Sequence, residues 1–381
     1  MSRGSFLERL NRGLVIGDGG FRIALEKRGY VTAGEWSCEA VIEHPEAVAQ
    51  LHREFVRAGS DVCQAFTVSS DDEELIACHS PGKLYHSVRD INDAACNLAA
   101  SIAKPAGCLV AGNICETSIY SSSVEKEVIM DKVRKWLDVF KTHQVDFMIC
   151  EYYEHVREAE WHIEAIKEVL PGTPVCASLA INDNSDVDGV PTGQCGVRLV
   201  RAGADVVGVN CHFDPFRSLV AVKKMIRAVK NAGYDTAHFM VQPLGYLTPD
   251  AGPGGFIDLP EYPFALEPRH CTRFEMAQFA RAAYEAGVRF IGGCCGTEPY
   301  HIRAISEELR AEREGADPPG SVSVKREADP PGTVSVKREA DPPGRVSVET
   351  KKPWVCATWR NKMEPATGRP YSSPYSGDMV H

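Results

Sequence analysis

Long apolar runs are missing from this sequence, and no stretch approaches the roughly 20 residues that a membrane-spanning helix needs. Residues 1–13 scatter arginine and glutamate among few apolar residues, so they lack the apolar segment of an export signal. Basic charge is also scarce, since 42 Lys and Arg stand against 52 Asp and Glu, a formal net charge of −10. We therefore expect a cytoplasmic protein that binds neither membranes nor nucleic acid.

Cysteine, in contrast, is plentiful, with 14 in 381 residues. Without an export signal, reduced thiols are favoured over a disulfide framework. Most of these cysteines, such as Cys63 and Cys108, lie in apolar strand-like runs and are typical of inert core residues. Three of them, Cys211, Cys294 and Cys295, instead follow the ends of predicted strands.

Short apolar runs alternate with longer amphipathic segments from about residue 14 to residue 309, which is the pattern of βα units. The strands are predicted at residues 14–17, 62–66, 108–112, 146–151, 174–179, 205–210, 238–242 and 288–292. Eight strands with helices between them predict an α/β fold that closes into a (β/α)8 TIM barrel. A doubly wound open sheet is the alternative.

Glycines mark the helix ends in this pattern. Gly59, Gly203 and Gly287 each follow a helical segment and precede a strand, as left-handed helix terminators do. Two connections are longer than usual for such a fold, at residues 67–87 and 244–272, and are expected to form lids, walls or subunit contacts.

The chain changes character near its C-terminus. We assign residues 1–312 to the barrel, and residues 313–350 to a flexible linker in which Ala-Asp-Pro-Pro-Gly recurs three times with a period of twelve. Segments rich in proline, glycine and charge cannot bury a core, so we expect the linker to be dispensable for chemistry. Residues 351–381 again contain aromatic residues, and we expect this segment to dock on another protein surface.

The three strand-end cysteines suggest a metal site. The carboxyl ends of barrel strands share one rim, and strands six and eight are separated by one strand, so Cys211 can approach Cys294 and Cys295. Neighbouring side chains of a strand point to opposite faces, but Gly292 and Gly293 permit the backbone to leave that geometry. Three thiolates suit a catalytic zinc ion with an open fourth position. Buried structural thiols or a vicinal disulfide are the alternatives.

The sequences around these cysteines resemble a known family. GVNC at 208–211 and GGCCG at 292–296 are similar to the zinc motifs of the homocysteine S-methyltransferases. IGDGGF at 16–21 and CHFDP at 211–215 resemble the betaine-using branch, and the resemblance extends from about residue 8 to residue 308. It implies one Zn2+ per chain, a TIM barrel, and methyl transfer from betaine to L-homocysteine, giving L-methionine and dimethylglycine.

The resemblance also implies roles for single residues. Asp18 and Glu151 would hold the homocysteine ammonium, and backbone N–H groups around Gly19 would lie near its carboxylate. Without the resemblance, Asp18 is equally a turn residue before two glycines, and Glu151 an exposed strand-end charge. Tyr152 is either a packed tyrosine or an oxygen donor near the metal. The catalytic set is therefore Cys211, Cys294, Cys295 and Glu151.

The donor pocket departs from the betaine branch. Trp36 and Phe66 match aromatic positions that would face an onium methyl group. Val68 and Ser69, however, stand where that branch has aromatic residues. Betaine is the expected donor, and a sulfonium such as S-methylmethionine or dimethylsulfoniopropionate is the alternative. A zinc-binding barrel without turnover is a further alternative, from a different functional class.

The C-terminal segment resembles an oligomerisation arm. Lys352-Pro353-Trp354 and Gly368-Arg369-Pro370-Tyr371 look like pieces of the arm of the betaine branch. The resemblance thus implies that the C-terminal extension is used in oligomerisation, in a homodimer or a homotetramer.

Overall fold

The computed structural model describes residues 4–31, 38–69, 71–72, 75 and 86–313. This part contains a sheet of eight parallel strands, and all eight predicted strands are confirmed. The strands are β1 (Val15–Ile16), β2 (Val62–Gln64), β3 (Leu109–Cys115), β4 (Phe147–Tyr153), β5 (Val175–Leu179), β6 (Val206–Asn210), β7 (His238–Gln242) and β8 (Phe290–Ile291).

The sheet closes on itself into a (β/α)8 barrel. Its order is β1-β8-β7-β6-β5-β4-β3-β2, so the first strand pairs with the last. The remaining seam, between β1 and β2, is bridged by Asp61. Its N–H donates to Ile16 O at 2.7 Å, and its carboxylate accepts from Ile16 N at 2.9 Å. The predicted TIM barrel is confirmed, and the open sheet is wrong.

Helices precede, connect and follow the strands. They are α1 (Phe6–Arg12), α2 (Phe21–Lys27), α3 (Ala40–Glu43), α4 (Pro45–Ala58), α5 (Val88–Ala106), α6 (Lys126–Thr142), α7 (Val156–Val169), α8 (Thr192–Ala202), α9 (Pro215–Asn231), α10 (Arg273–Ala286) and α11 (Pro299–Glu308). Gly59, Gly203 and Gly287 end α4, α8 and α10 with φ of 110°, 112° and 101°, so the predicted terminators are confirmed. None of the helices in the described ranges is long and apolar enough to cross a bilayer.

Two strands run further than the sequence pattern predicted. β3 ends at Cys115 instead of residue 112, and β4 ends at Tyr153 instead of residue 151. They extend together, because Cys115 and Glu151 are paired in the parallel register. The register of β4 against β5 then shifts between Cys150 and Tyr153, which places Glu151 and Tyr152 in an irregular strand end.

Helix α1 lies against one end of the barrel interior. Inward-facing residues such as Val15, Val206 and Met240 form an apolar cluster with Phe6 and Leu10 of α1. The ring of Phe6 stacks on Phe147 with centroids 3.8 Å apart. Because Val15, Phe147 and Val206 are the first residues of β1, β4 and β6, α1 covers the amino-terminal end and leaves the opposite rim for function.

We predict that Phe6→Ala destabilises the barrel by about 3–5 kcal/mol, the usual cost of truncating a buried phenylalanine. The measurement is the urea midpoint of unfolding, followed by circular dichroism. Phe264→Ala is the matched control, since Phe264 is 68% exposed and should change the midpoint little. Equal midpoints for the two variants would contradict this role of α1.

Candidate active site

Three cysteine sulfurs meet at the carboxyl-terminal rim of the barrel. Cys211 follows β6, Cys294 and Cys295 follow β8, and β7 lies between these strands. Their Sγ atoms all lie within 4.8 Å of one another, and in the described ranges they are the one such cluster of His, Cys, Asp or Glu ligand atoms. Tetrahedral Zn2+ with Zn–S bonds of 2.3 Å needs sulfurs roughly 3.8 Å apart. The thiols therefore stand close to metal-binding geometry.

Cys211 reaches this position through an unusual backbone turn. Cys211 and His212 have φ of 51° and 50°, and Tyr152 has 68°; these are the non-glycine residues with positive φ in the described chain. Such conformations cost about 1–3 kcal/mol each and persist only where the surrounding structure holds them. Here the N–H of Cys211 donates to Gln242 O at 3.0 Å, and His212 O accepts from the N–H of Phe256 at 2.8 Å.

Asp214 holds the far side of the same turn. One carboxylate oxygen accepts from the N–H groups of Phe216 and Arg217, which caps helix α9. The other oxygen accepts from the N–H and the hydroxyl of Thr248 at 3.1 and 3.0 Å. The connection 244–272 is thereby fastened to the turn at Thr248.

Cys294 and Cys295 lie in a glycine-rich loop that has left β geometry, since β8 ends at Ile291. The N–H of Cys294 donates to Pro243 O at 2.8 Å, and the N–H of Gly293 donates to Asp18 O at 2.9 Å. The loop is closely packed, because a Cβ at Gly20 would lie 2.5 Å from Cys294 O. This departure from strand geometry lets both neighbouring cysteines face Cys211.

The three thiols influence one another's ionisation. Burial raises the pKa of Cys211 well above its ordinary value. Hydrogen bonds from the thiols of Cys211 and Cys294 lower the pKa of Cys295 well below its ordinary value. In the absence of a cation, the cluster stabilises one thiolate beside two thiols. A metal ion favours ionisation of all three cysteines.

Polar side chains occupy the next inward positions of the barrel, between the apolar layers and the rim. They are Gln64, Asn113, Glu151, Asn210 and Gln242. Gln64 links two carboxylates: its side-chain amide donates to Glu151 at 2.6 Å, and its backbone N–H donates to Asp18 at 2.8 Å. Both carboxylates are therefore held in place by neutral donors.

Burial dominates the ionisation of these carboxyl groups. It raises the pKa of Asp18 to about 8, against the opposing hydrogen bond from the Gln64 N–H. Burial likewise raises the pKa of Glu151 to about 7. A bound cation would reverse both shifts, because an adjacent positive charge favours the ionised form. The pair is thus arranged to receive positive charge.

A cleft with about 730 Å³ of open space lies above these groups. Its lining includes Asp18, Gly19, Glu151, Cys294 and Cys295.

Aromatic rings and a cation complete the lining of the cleft. Phe66 lies against Phe21 with ring centroids 5.7 Å apart. Tyr152 also faces the cleft, and its hydroxyl lies 3.0 Å from His212 Nε2. Arg22 is the cationic side chain of the described lining, and forms an ion pair with Glu26 at 3.1 Å. The cleft therefore combines sulfur ligands, carboxylates and aromatic faces.

The sequence model of the family described as homocysteine S-methyltransferase matches residues 15–309. This chain belongs to the homocysteine S-methyltransferase family. A betaine–homocysteine S-methyltransferase 1 of Danio rerio is 51% identical over 374 residues, 97% of this chain and 88% of the relative. An S-methylmethionine–homocysteine S-methyltransferase of Mus musculus is 46% identical over 371 residues, 96% of this chain and 94% of the relative. The family resemblance seen in the sequence is confirmed.

Solved structures agree on the fold. The homocysteine methyltransferase MmuM from Escherichia coli, in its metallated form, superposes with a TM-score of 0.58 at 18% identity. The match covers 77% of this chain and 96% of that protein. At this identity, the likeness supports the barrel alone.

Most of the predicted site residues of this homocysteine S-methyltransferase family member lie together. Asp18, Gly19, Phe66, Glu151, Tyr152, Cys294 and Cys295 line the cleft, and Cys211 is buried beside the other two thiols. Ser69 is not among the described lining residues; it is 8% exposed, and its Oγ accepts from the N–H of Cys115 at 2.9 Å. Trp36 lies outside the described residues.

Several neighbours of the site were absent from the predicted set. Gln64, Asn113 and Arg22 line the cleft, and so does Asn210. The sequence contained a signal for two of them. Gln64 and Asn210 are the last residues of β2 and β6, and the alternation of the strand places them on the same inward face as the apolar residues before them. Arg22 carried no such signal, since it lies one position into α2.

Proposed function

We propose that this protein is a zinc-dependent homocysteine S-methyltransferase that transfers a methyl group from betaine to L-homocysteine, giving L-methionine and dimethylglycine. The observation that carries the proposal is the meeting of three thiols with two buried carboxylates in one cleft. The first set suits a thiophilic cation and the second suits an ammonium group. Homocysteine carries both a thiol and an ammonium, at opposite ends of a short chain.

Cys211, Cys294 and Cys295 would hold one Zn2+ per chain. Three sulfur donors fit a catalytic zinc site with one position left for substrate. When bound, zinc supplies the positive charge that keeps the homocysteine sulfur ionised at neutral pH.

Asp18 and Glu151 would bind the homocysteine ammonium. Their carboxylates lack a basic side chain among the hydrogen-bond partners in the described residues, so the substrate would supply the missing positive charge. The tight packing around Gly19 and Gly20, where a Cβ would lie 2.5 Å from backbone oxygens, brings the main chain to the edge of the cleft. Backbone N–H groups near Gly19 are the proposed partners of the homocysteine carboxylate.

The reaction then needs alignment more than acid or base catalysis. The homocysteine sulfur attacks the methyl carbon of the donor; the S–C bond forms as the N–C bond breaks, and its electron pair returns to nitrogen. A neutral amine leaves, so no proton has to be delivered to it. The protein contributes by holding the two reactants in line, which removes much of the entropic barrier.

Aromatic rings would receive the onium donor. Phe66 and Tyr152 line the cleft, and each cation–π contact contributes roughly 0.5–2 kcal/mol. A sulfonium donor such as S-methylmethionine or dimethylsulfoniopropionate is the second candidate. Two observations favour it: Ser69, which bonds the cleft-lining Cys115, carries a hydroxyl and no ring, and the Mus musculus relative is named for S-methylmethionine.

The decisive experiment is a donor panel. We expect mass spectrometry to detect methionine after incubation of the protein with homocysteine and betaine, and no methionine without the protein. Methionine formed only with a sulfonium would identify the second candidate. No methionine with any donor would leave a zinc-binding barrel without turnover.

We predict that Cys294→Ala lowers the zinc content below one ion per chain and abolishes methionine formation, because two thiolates hold the ion poorly. Metal analysis and the methionine assay measure the two effects. Cys96→Ala, which removes a buried thiol on helix α5, is the control and should keep both zinc and turnover. Full zinc and full turnover in Cys294→Ala would refute the metal site.

We also predict that Asp18→Asn and Glu151→Gln raise the KM for homocysteine roughly 10- to 100-fold at unchanged zinc content, since a hydrogen bond to a charged group contributes about 1.5–3 kcal/mol. Asp205→Asn is the control, because this carboxylate lies at the opposite end of the barrel, bonded to Val175 N and Lys167. Unchanged homocysteine kinetics in both variants would mean that the ammonium is bound elsewhere.

Ser69→Tyr is predicted to improve betaine use by roughly 0.5–2 kcal/mol, or about 2- to 30-fold in kcat/KM, if the new ring reaches the donor. A ring that crowds the pocket would lower kcat/KM for betaine instead. In either case the ratio of kcat/KM for betaine to that for S-methylmethionine must change. Ser69→Ala, which removes only the hydroxyl bonded to Cys115 N, is the control. An equal response of both donors would place Ser69 outside the donor pocket.

A further inference from the structure

Asn210 lies at the centre of the site, at the end of β6 and next to Cys211, and is 1% exposed. Its side-chain amide has four neighbours. Oδ1 accepts from the backbone N–H of Tyr152 at 3.1 Å and from the hydroxyl of Ser178 at 3.0 Å. Nδ2 lies 3.3 Å from Glu151 Oε2 and 3.9 Å from Cys294 Sγ.

These neighbours determine the orientation of the amide. A backbone N–H can only donate, so the atom that faces Tyr152 N must be the oxygen. The NH2 group is then forced toward the other two neighbours, Glu151 and Cys294. Both of them are acceptors when ionised, which suits the two N–H bonds of this group.

The amide therefore completes a continuous polar chain across the barrel. The chain runs from Asp18 through the backbone and side chain of Gln64 to Glu151, and from there through Asn210 to Cys294. It joins the two carboxylates proposed for the ammonium to one of the sulfurs proposed for zinc. Asn210 is the member that touches both halves.

We infer that Asn210 is a positioning residue that sets the distance between the ammonium-binding carboxylates and the metal-binding thiolates, and that donates an N–H···S hydrogen bond to Cys294. The inference rests on the proposed function for the identity of the substrate. A short carbon chain joins the sulfur and the nitrogen of homocysteine, so binding both atoms at once requires the two halves of the site to stay within the reach of that chain. Outer residues that orient a metal ligand typically change affinity or activity 10- to 100-fold when replaced.

The N–H···S contact has an electronic consequence as well. A hydrogen bond to a thiolate withdraws electron density from sulfur and lowers the energy of its lone pairs. Removal of the donor should therefore move sulfur-to-metal charge transfer to lower energy. This signature requires no turnover, and a residue that merely fills space would not produce it.

The test uses Asn210→Ala and Asn210→Asp in the full chain, with either Zn2+ or Co2+ supplied to the metal-free protein. Asn210→Asp keeps the oxygen that accepts from Tyr152 and Ser178 and the size of the side chain, but places a second carboxylate oxygen, in place of the two N–H donors, against Glu151 and Cys294. We expect a rise of about 10- to 100-fold in the homocysteine dissociation constant of the zinc protein, measured by calorimetry. We also expect a red shift of the S→Co2+ charge-transfer band in both variants.

Ser178→Ala is the matched control. Ser178 is paired with Gly208 in the register, so it contacts Asn210 Oδ1 from deeper in the barrel. Among the described residues, it makes no hydrogen bond to Glu151 or Cys294. In Ser178→Ala, the S→Co2+ charge-transfer band and the homocysteine affinity should stay near those of the unmodified protein. The same band and the same homocysteine affinity in Asn210→Asp as in the unmodified protein would overturn the inference.

The S→Co2+ charge-transfer band also distinguishes a failure of this inference from a failure of the proposed function. If the unmodified protein binds Co2+ but forms no methionine, the proposed function fails, and a red shift in Asn210→Asp still supports the contact with Cys294. If methionine forms but neither the band nor the homocysteine affinity responds to the two variants, the inference about Asn210 is wrong and the proposed function stands.

Discussion

The left-handed turn at Cys211 and His212 is the constraint on which the site depends. In a regular continuation of β6, Cys211 would point to the opposite face from Asn210 and away from the barrel interior. The positive φ at both residues redirects the chain, and its cost of about 1–3 kcal/mol for each is offset by a shell of hydrogen bonds. Asp214 and Phe256 contribute to that shell, so the loop 244–272 is a structural support of the site.

Buried acidic groups dominate the electrostatics of the site. The cleft brings Asp18 and Glu151 within reach of three thiols, and both carboxyl groups have pKa values raised by burial. Groups of this kind, left without cations, bind protons at neutral pH. A metal ion and an ammonium group would remove the penalty by supplying the missing charge.

The wall of the cleft proposed to receive the methyl donor is only partly aromatic. Phe21 and Phe66 form an aromatic wall, whereas Ser69 turns its hydroxyl to the backbone of Cys115. An onium methyl group gains from aromatic faces, and the area of these faces decides how strongly a donor is held. Relatives that use betaine and relatives that use S-methylmethionine stand at similar identity to this chain. In the proposed function, donor choice would therefore depend on a few side chains on one wall of the cleft.

Local patterns in the sequence determined the strands, the glycine helix ends and the rim on which the cysteines lie. Each of these features depends on residues within a few positions of one another, such as the alternation that ends at Asn210 or the glycine that ends α8. The tertiary structure decided the rest. The link from Gln64 to Glu151 and the contact of Asn210 with Cys294 join strands far apart in the chain. Such contacts depend on barrel closure and on register, which no local pattern encodes.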